Sequence, residues 1–344
     1  MGRTVCLTSF ELADLGPARV LAETVKAAHP DWTMQAMVIE RPGWAVPAEA
    51  FAPFDVVTSV LELDIPRVRP WLFGIDRAAI RLPAAACGLH RALESGADWA
   101  VYLDANSAVF HPLAATAQGG GSVLLAPQMI APSETEPAFR DGELAAMRLG
   151  IFSPGFIAAR GDAEGRGFAA WFDGMVRRPI ADARLAGAPP APLLCNLAPA
   201  LFSGINILRD PGYNVAPVNI CRRRLRVAPD GSITVNGALL RHFQFPGPAT
   251  TGEMMLDRHG HGDIALYELL AWYRRQTARL TVPEVAALPW SFGSFDDATP
   301  VTPPIRRLWR ERADLYRAFE DPFATGPGTL HDWLGRERPD LMVA

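Results

Sequence analysis

Asp104 and Asn106 stand one residue apart, with Ala105 between them, directly after the apolar run Trp99-Ala-Val-Tyr-Leu103. A carboxylate and an amide oxygen at that spacing can both reach a hard divalent cation such as Mg²⁺ or Mn²⁺, which takes oxygen ligands and shares them with a diphosphate. Such a cation would stabilise a departing nucleoside diphosphate. The competing reading is a strand-end turn in which both side chains bond nearby backbone amides. Arg222-Arg-Arg-Leu-Arg226 offers guanidinium forks that match phosphate geometry, or else a solvated strand edge. His259-Gly-His261-Gly-Asp263 has metal-like residue types, but its glycine spacing and lack of a partner cluster make it a weak acceptor-side candidate. No phosphate-binding G-x-x-x-x-G-K-[ST], zinc-type H-E-x-x-H or nucleophile-elbow G-x-S-x-G motif occurs.

These residues need a scaffold, and the sequence predicts one. Residues 4–9 read as a buried strand, Asp14 with Pro17 marks a helix start, and further strands follow at 34–39 and 55–58. Residues 78–93 form an Ala-rich helix closed by Ser95-Gly96, after which 99–103 is apolar throughout, as in strands covered on both faces. That alternation predicts a doubly wound, mostly parallel α/β sheet. Beyond Gly119-Gly-Gly121, strands are expected at 122–126 and 156–159, with a helix around Phe168, Trp171 and Phe172. A Pro-rich link over 187–192 precedes strand-like runs at 205–208 and 239–245, and helices are expected at 264–279 and 305–319. Trp290, Phe292, Phe295, Trp309 and Tyr316 are expected to pack against the sheet.

Composition narrows the function classes. The chain has 344 residues, 49% hydrophobic and 20% charged, enough for a large core. A net charge of −4 gives no electrostatic footprint for nucleic acid or an anionic membrane. Cys6, Cys87, Cys195 and Cys221 are dispersed, which fits reduced, buried thiols rather than a disulfide framework. With no run of ~18 apolar residues and no signal-peptide pattern, the expectation is a cytoplasmic protein without a membrane span, or one attached to the inner face of the membrane. Lys26 is the only lysine among 33 basic residues, read as the coding bias of a GC-rich bacterial genome.

Tyr102-Leu-Asp-Ala-Asn-Ser-Ala-Val-Phe110 resembles the Y-L-D-x-D-x-x-V-F stretch of GT-A glycosyltransferases of the glycogenin and lipopolysaccharide galactosyltransferase type. A bacterial branch is resembled more closely through Gly150-Ile-Phe-Ser-Pro-Gly-Phe-Ile157 and through the run Ile207-Leu-Arg-Asp-Pro-Gly-Tyr-Asn-Val-Ala216. His242-Phe-Gln-Phe-Pro-Gly247 and Asp321-Pro-Phe323 add to the match. The resemblance implies a GT-A fold, with residues 1–262 as the nucleotide-sugar-binding and catalytic domain and 263–344 as a helical extension packed on it. It implies transfer of a sugar from a nucleotide-diphosphate sugar to a hydroxyl of a glycan or glycoconjugate acceptor, in surface polysaccharide or glycoconjugate synthesis. Asp104, Ala105 and Asn106 would hold the diphosphate and a divalent cation, Mn²⁺ or Mg²⁺, with His242 completing the metal site. A histidine satisfied by a backbone carbonyl is the alternative for His242. Thr8 and Ser9 would border the nucleotide, and Asp76 would touch the donor sugar. Asp210, Gly212 and Asn214 would line the sugar pocket from a tight turn whose amides face phosphate or sugar, unless that turn is purely structural.

The departures from the pattern fall at polar positions. Asn106 replaces the usual second aspartate, Pro154 an asparagine, Ala191-Pro192 an Asp-Gln pair and Ala85 a lysine of the preceding helix. Three readings follow: a transferase with a weakened cation site, a GT-A-like binding or scaffold protein that has lost catalysis, and a transferase that neutralises the diphosphate with arginines.

Overall fold

The computed structural model describes residues 2–43, 46–63, 65–118, 120–181, 191–247, 250–260 and 262–342. Gly119, residues 187–190 of the Pro-rich link and His261 lie outside them.

The central sheet has seven strands: β1 (Thr4–Phe10), β2 (Thr33–Val38), β3 (Val56–Ser59), β4 (Trp99–Leu103), β6 (Val123–Pro127), β7 (Phe152–Arg160) and β8 (Ile205–Ile207). Their spatial order is β3-β2-β1-β4-β7-β6-β8. β1 pairs parallel with β2 and β4, and β6 parallel with β8, whereas β7 runs antiparallel between β4 and β6. The mostly parallel doubly wound sheet is therefore present, with one reversed strand at its centre.

Both faces are covered, which is why β1 and β4 are apolar or small throughout. Cys6, Val101, Leu103 and Phe156 pack with Leu21 and Val25 of α1 (Leu15–Ala28) on one face. Leu7, Tyr102 and Ile157 point to the other, under α3 (Arg81–Glu94) and α4 (Ala163–Ala181). The helix expected from residue 78 begins instead as a 3₁₀ turn, Arg77–Ala79, and Gly96 ends α3 at φ +85. Cys6, Cys87 and Cys195 are buried free thiols and Cys221 is half-buried.

Two smaller ribbons extend the sheet. β5 (Ser107–Val109) pairs antiparallel with β12 (His242–Gln244), while β9 (Leu225–Val227), β10 (Ile233–Val235) and β11 (Ala238–Leu239) form a three-stranded piece. The single strand expected over 239–245 is thus divided. The amides of Arg241 and His242 both turn to the Gly212 carbonyl, at 2.9 and 3.1 Å, which pulls the chain out of one ladder and into the next. α5 (Thr251–His259) and α6 (Ile264–Leu280) close this side, α6 lying on α1.

The remainder of the chain docks on the α3 face. Phe292, Phe295 and Trp309 share a core with α2 (Val68–Gly74), and Arg306, only 4% exposed, donates to the carbonyls of Leu72, Phe73 and Ile75 at 3.2, 2.9 and 3.0 Å. Those are the orphan acceptors at the carboxyl end of α2. Trp290 donates through Nε1 to the Ile39 carbonyl at 2.9 Å, and the buried Glu40 accepts from the Ser291 amide at 2.7 Å. The helix expected over 305–319 is two, α7 (Pro303–Glu311) and α8 (Ala313–Ala318), and α9 (Leu330–Glu337) was not foreseen. Among the described residues no helix is long and apolar enough to cross a membrane.

Phe73 is fully buried with ring centroids 5.1 Å from Trp309 and 5.0 Å from Phe323. Phe73→Ala is expected to cost about 3–5 kcal/mol in urea unfolding while leaving a single transition. A second transition appearing in the variant would show instead that the carboxyl-terminal segment unfolds apart from the sheet.

Candidate functional site

The carboxyl ends of β1 and β4 lie side by side because the two strands are parallel in register, Leu7 against Tyr102. Open α/β sheets bind ligands at such ends. Past β4, the Asp104 amide donates to the Gly155 carbonyl of β7 at 3.0 Å, and its carboxylate Oδ1 accepts the Asn106 amide at 2.8 Å. Ser107 Oγ donates to the Asp104 carbonyl at 2.6 Å, completing a turn into β5. The strand-end turn is therefore real for Asp104, yet it engages only Oδ1; Asp104 and Asn106 are half-buried and Ala105 fully buried. A β-carbon at Gly155 would lie 1.9 Å from Gln244 Nε2 and 3.1 Å from the Asp104 β-carbon. A side chain at position 155 would have to displace the end of Gln244. Gln244 in turn donates to Ser153 Oγ at 3.1 Å, tying β12 to the same spot.

Thr8 and Ser9 diverge. Ser9 points toward α3, where its Oγ donates to the Arg81 carbonyl at 2.9 Å and lies 3.2 Å from the Tyr102 hydroxyl. Thr8 points to the opposite face, fully buried, its Oγ1 without a partner. His242 belongs to that same face: its ring packs edge-on against Phe156, centroids 5.6 Å apart. It is fully buried and neither ring nitrogen has a partner, so the backbone-satisfied alternative does not hold. Burial lowers its pKa from the usual 6.5 to about 3, leaving a neutral imidazole with a free lone pair at pH 7.

The turn after β8 departs from expectation. Asp210 accepts the Gly212 amide at 2.8 Å, and the Tyr213 amide donates to the Asp210 carbonyl at 3.1 Å. These amides are spent inside the turn and do not face phosphate or sugar. Gly212 is needed because a β-carbon there would sit 1.9 Å from the Leu239 carbonyl oxygen. The turn's reach toward the site is indirect: the Gly212 carbonyl anchors His242, and Asn214, at φ 51, keeps a fully buried Oδ1 unpartnered. Asp76 is exposed and lies 3.3 Å from Arg310 of α7. Of the arginine run, Arg223 is buried and donates to the Tyr213 carbonyl at 2.6 Å, with burial lowering its pKa to about 10, and Arg222 pairs with Glu134. His259 is held by Asp141 at 2.8 Å.

Sequence reasoning missed Arg81. It opens α3 one turn before Ala85 on the same face, and its guanidinium donates to Glu11 and Asp14. Burial works against its charge, but Glu11, Asp14 and Asp104 outweigh that and hold its pKa above the ordinary value. Burial and the nearby Asp104 charge likewise raise the Tyr102 hydroxyl. The signal was available: Glu11 directly follows a strand end, and an arginine lies within a turn of the position where a lysine was sought.

Among the described residues no three His, Cys, Asp or Glu side chains converge as a ready cation site. Asp104 Oδ2 and the Asn106 amide oxygen are the donors the end of β4 offers, while His242 is fully buried and shifted by burial alone. Mg²⁺ commonly uses one or two carboxylates and completes its shell with waters and substrate phosphates, so this sparse set fits a cation brought in with a diphosphate.

No protein-family model matches the chain, nor does any curated protein. Among solved structures the chain is similar to the galactosyltransferase LgtC in complex with donor and acceptor sugar analogues, with 14% identity, 82% of this chain and 98% of that chain covered, and a TM-score of 0.46. A structure of an active-site mutant of LgtC matches at 13% identity over 75% of this chain and 95% of that chain, with a TM-score of 0.40.

Because the His242 pKa is lower in the fold than the 6.5 it returns to on unfolding, the unfolded chain takes up the extra proton, and the penalty appears as pH falls from about 6.5 toward 3. His29, lowered by burial to about 4, acts in the same direction, so the comparison is with a variant. His242→Leu is expected to lose less stability than the native chain between pH 6.5 and 4 in thermal melts. Equal losses would show that His242 is not the buried neutral group described.

Proposed function

We propose that the chain is a GT-A-type glycosyltransferase that moves a sugar from a nucleotide-diphosphate sugar to a hydroxyl of a glycan or glycoconjugate acceptor. The observation that carries this reading is the end of β4: Asp104, implied by the sequence resemblance, engages its turn only through Oδ1, and Arg81 is held beside it by Glu11 and Asp14. Open α/β sheets bind ligands at such strand ends.

In this reading Asp104 and Asn106, with His242, hold a divalent cation that supplies charge neutralisation for the departing diphosphate. Asp104 uses its second oxygen for this, the first being fixed by the Asn106 amide. Thr8 and Ser9 border the nucleotide at the end of β1. Arg81, clamped by Glu11 and Asp14, holds a fixed positive charge beside Asp104 and orients Ser9 through its carbonyl. Tyr102, kept neutral, offers its hydroxyl to Ser9 as a positioning contact. Synthesis of a surface polysaccharide or glycoconjugate by a protein on the cytoplasmic side is the setting the sequence suggests.

A second reading, a binding or scaffold protein without turnover, is favoured by one specific observation: the Gly212 amide, expected to face substrate, is spent on Asp210 Oδ1 inside the turn. The two readings separate by titration calorimetry with a panel of nucleoside diphosphates in Mn²⁺, Mg²⁺ or EDTA, followed by donor hydrolysis and transfer assays. Asp104→Asn is expected to keep the melting temperature within a few degrees and to lower turnover by about 10²-fold or more, as loss of a group stabilising developing charge does. Nucleotide binding without turnover in the native chain establishes the second reading, and absence of nucleotide binding removes the first.

A further inference from the structure

Away from the sheet ends, the β9–β10 ribbon and the amino-terminal half of α6 enclose a cleft of about 850 Å³. Its inner wall is apolar and aromatic: Leu269 is buried there, and the rings of Phe110 and Trp272 meet with centroids 5.2 Å apart at 58°. Its rim carries Arg224, Arg226 and Arg275, all exposed, and none of the three guanidinium groups has an ion pair or hydrogen bond among the described residues. Two carboxylates also line the cleft. Asp263 is committed to the backbone, accepting from the Leu225 amide at 3.0 Å and capping α6 at the Leu266 amide at 3.3 Å. Asp263 and Glu268 thus face three guanidinium groups, with Glu134, the partner of Arg222, acting on Arg224 from outside the cleft, so the lining joins aromatic faces to a rim with more guanidinium than carboxylate groups.

We propose that this cleft binds an anionic saccharide. The C–H face of a sugar ring packs on an aromatic face such as Trp272, and a carboxylate or phosphate on the ring accepts the paired N–H donors of a guanidinium. A neutral sugar would leave the arginines unmatched, and a purely apolar ligand would desolvate them without return. The position links the cleft to the candidate site. Phe110 lies four residues beyond Asn106, just past β5, a span of about 13 Å at 3.3 Å per residue. Its role as the anchoring site of the acceptor rests on the transferase reading; the binding itself does not.

The test is titration calorimetry on the full chain with trigalacturonate, glucose 6-phosphate and maltotriose, without nucleotide. At least one of the two anionic probes is expected to bind, with maltotriose about tenfold weaker or undetectable, and which anion binds tells carboxylate from phosphate recognition. The exposed double variant Arg226→Glu with Arg275→Glu is expected to lose about tenfold or more in affinity with an unchanged circular dichroism spectrum, and Trp272→Ala to weaken the same ligand. No binding of either anion, equal binding of maltotriose, or undiminished affinity in the charge-reversed variant overturns the proposal. Nucleotide titrations on the same samples keep the two readings apart: saccharide binding without nucleotide binding removes the transferase and leaves the cleft, and the converse removes the cleft alone.

Discussion

The close approach of Gly155 to Asp104 is the contact on which the candidate site depends. It lets an antiparallel strand run beside β4 to its very end, so that the Gly155 carbonyl receives the Asp104 amide while Gln244 fills the space a side chain would occupy. Through Gln244 the same contact holds β12, and β12 carries His242. A parallel neighbour in place of β7 would need its own crossover connection. β5, which follows the Asp104 turn, pairs with β12 and so ties the loop after β4 to a distant segment of the chain.

Charge around this contact is arranged by burial as much as by pairing. On the α3 face the acidic groups Glu11, Asp14 and Asp104 surround Arg81, and their attraction exceeds the desolvation that would otherwise discharge a guanidinium. On the α1 face His242 has no charged neighbour to offset desolvation, and remains neutral. One strand end thus separates a charged compartment from a neutral one with unpaired donors and acceptors. The replacement of a lysine by Ala85 reads differently in that light: Ala85 is fully buried in the α3 core, and the cation stands one helical turn earlier.

What was legible in the sequence followed local rules. The apolar runs that became β1, β2 and β4, the Gly96 stop of α3, and the helix α6 each declare themselves within a dozen residues. The location of the site at Asp104 followed from one such run and its end. What was not legible depended on partners far away. The strand over 239–245 breaks because of the Gly212 carbonyl, and the turn at Asp210 spends its own amides; neither choice is visible in alternation of residue types. Asp76 turns to Arg310, 234 residues on, and Arg81 is defined by Glu11, 70 residues back. Glycine at position 155 could be seen, but not that Gln244 would require it.

The energetic oddity of His242 bears most directly on what this fold is for. A leucine or phenylalanine in the same space against Phe156 would gain the same apolar contact and leave no polar atom unmade. Position 242 also lies in a ladder with Val109 on the opposite strand, where an apolar residue suits the pairing at least as well. An imidazole held fully buried, neutral and without a hydrogen bond therefore stabilises the folded chain less than its alternatives do. The same holds for Thr8 against valine on β1. Folding alone does not account for two such groups on one face beside the end of β4. In the transferase reading proposed above, a bound ligand would supply the partners that Thr8 and His242 lack, near the end of β4 where Asp104 engages its turn through Oδ1.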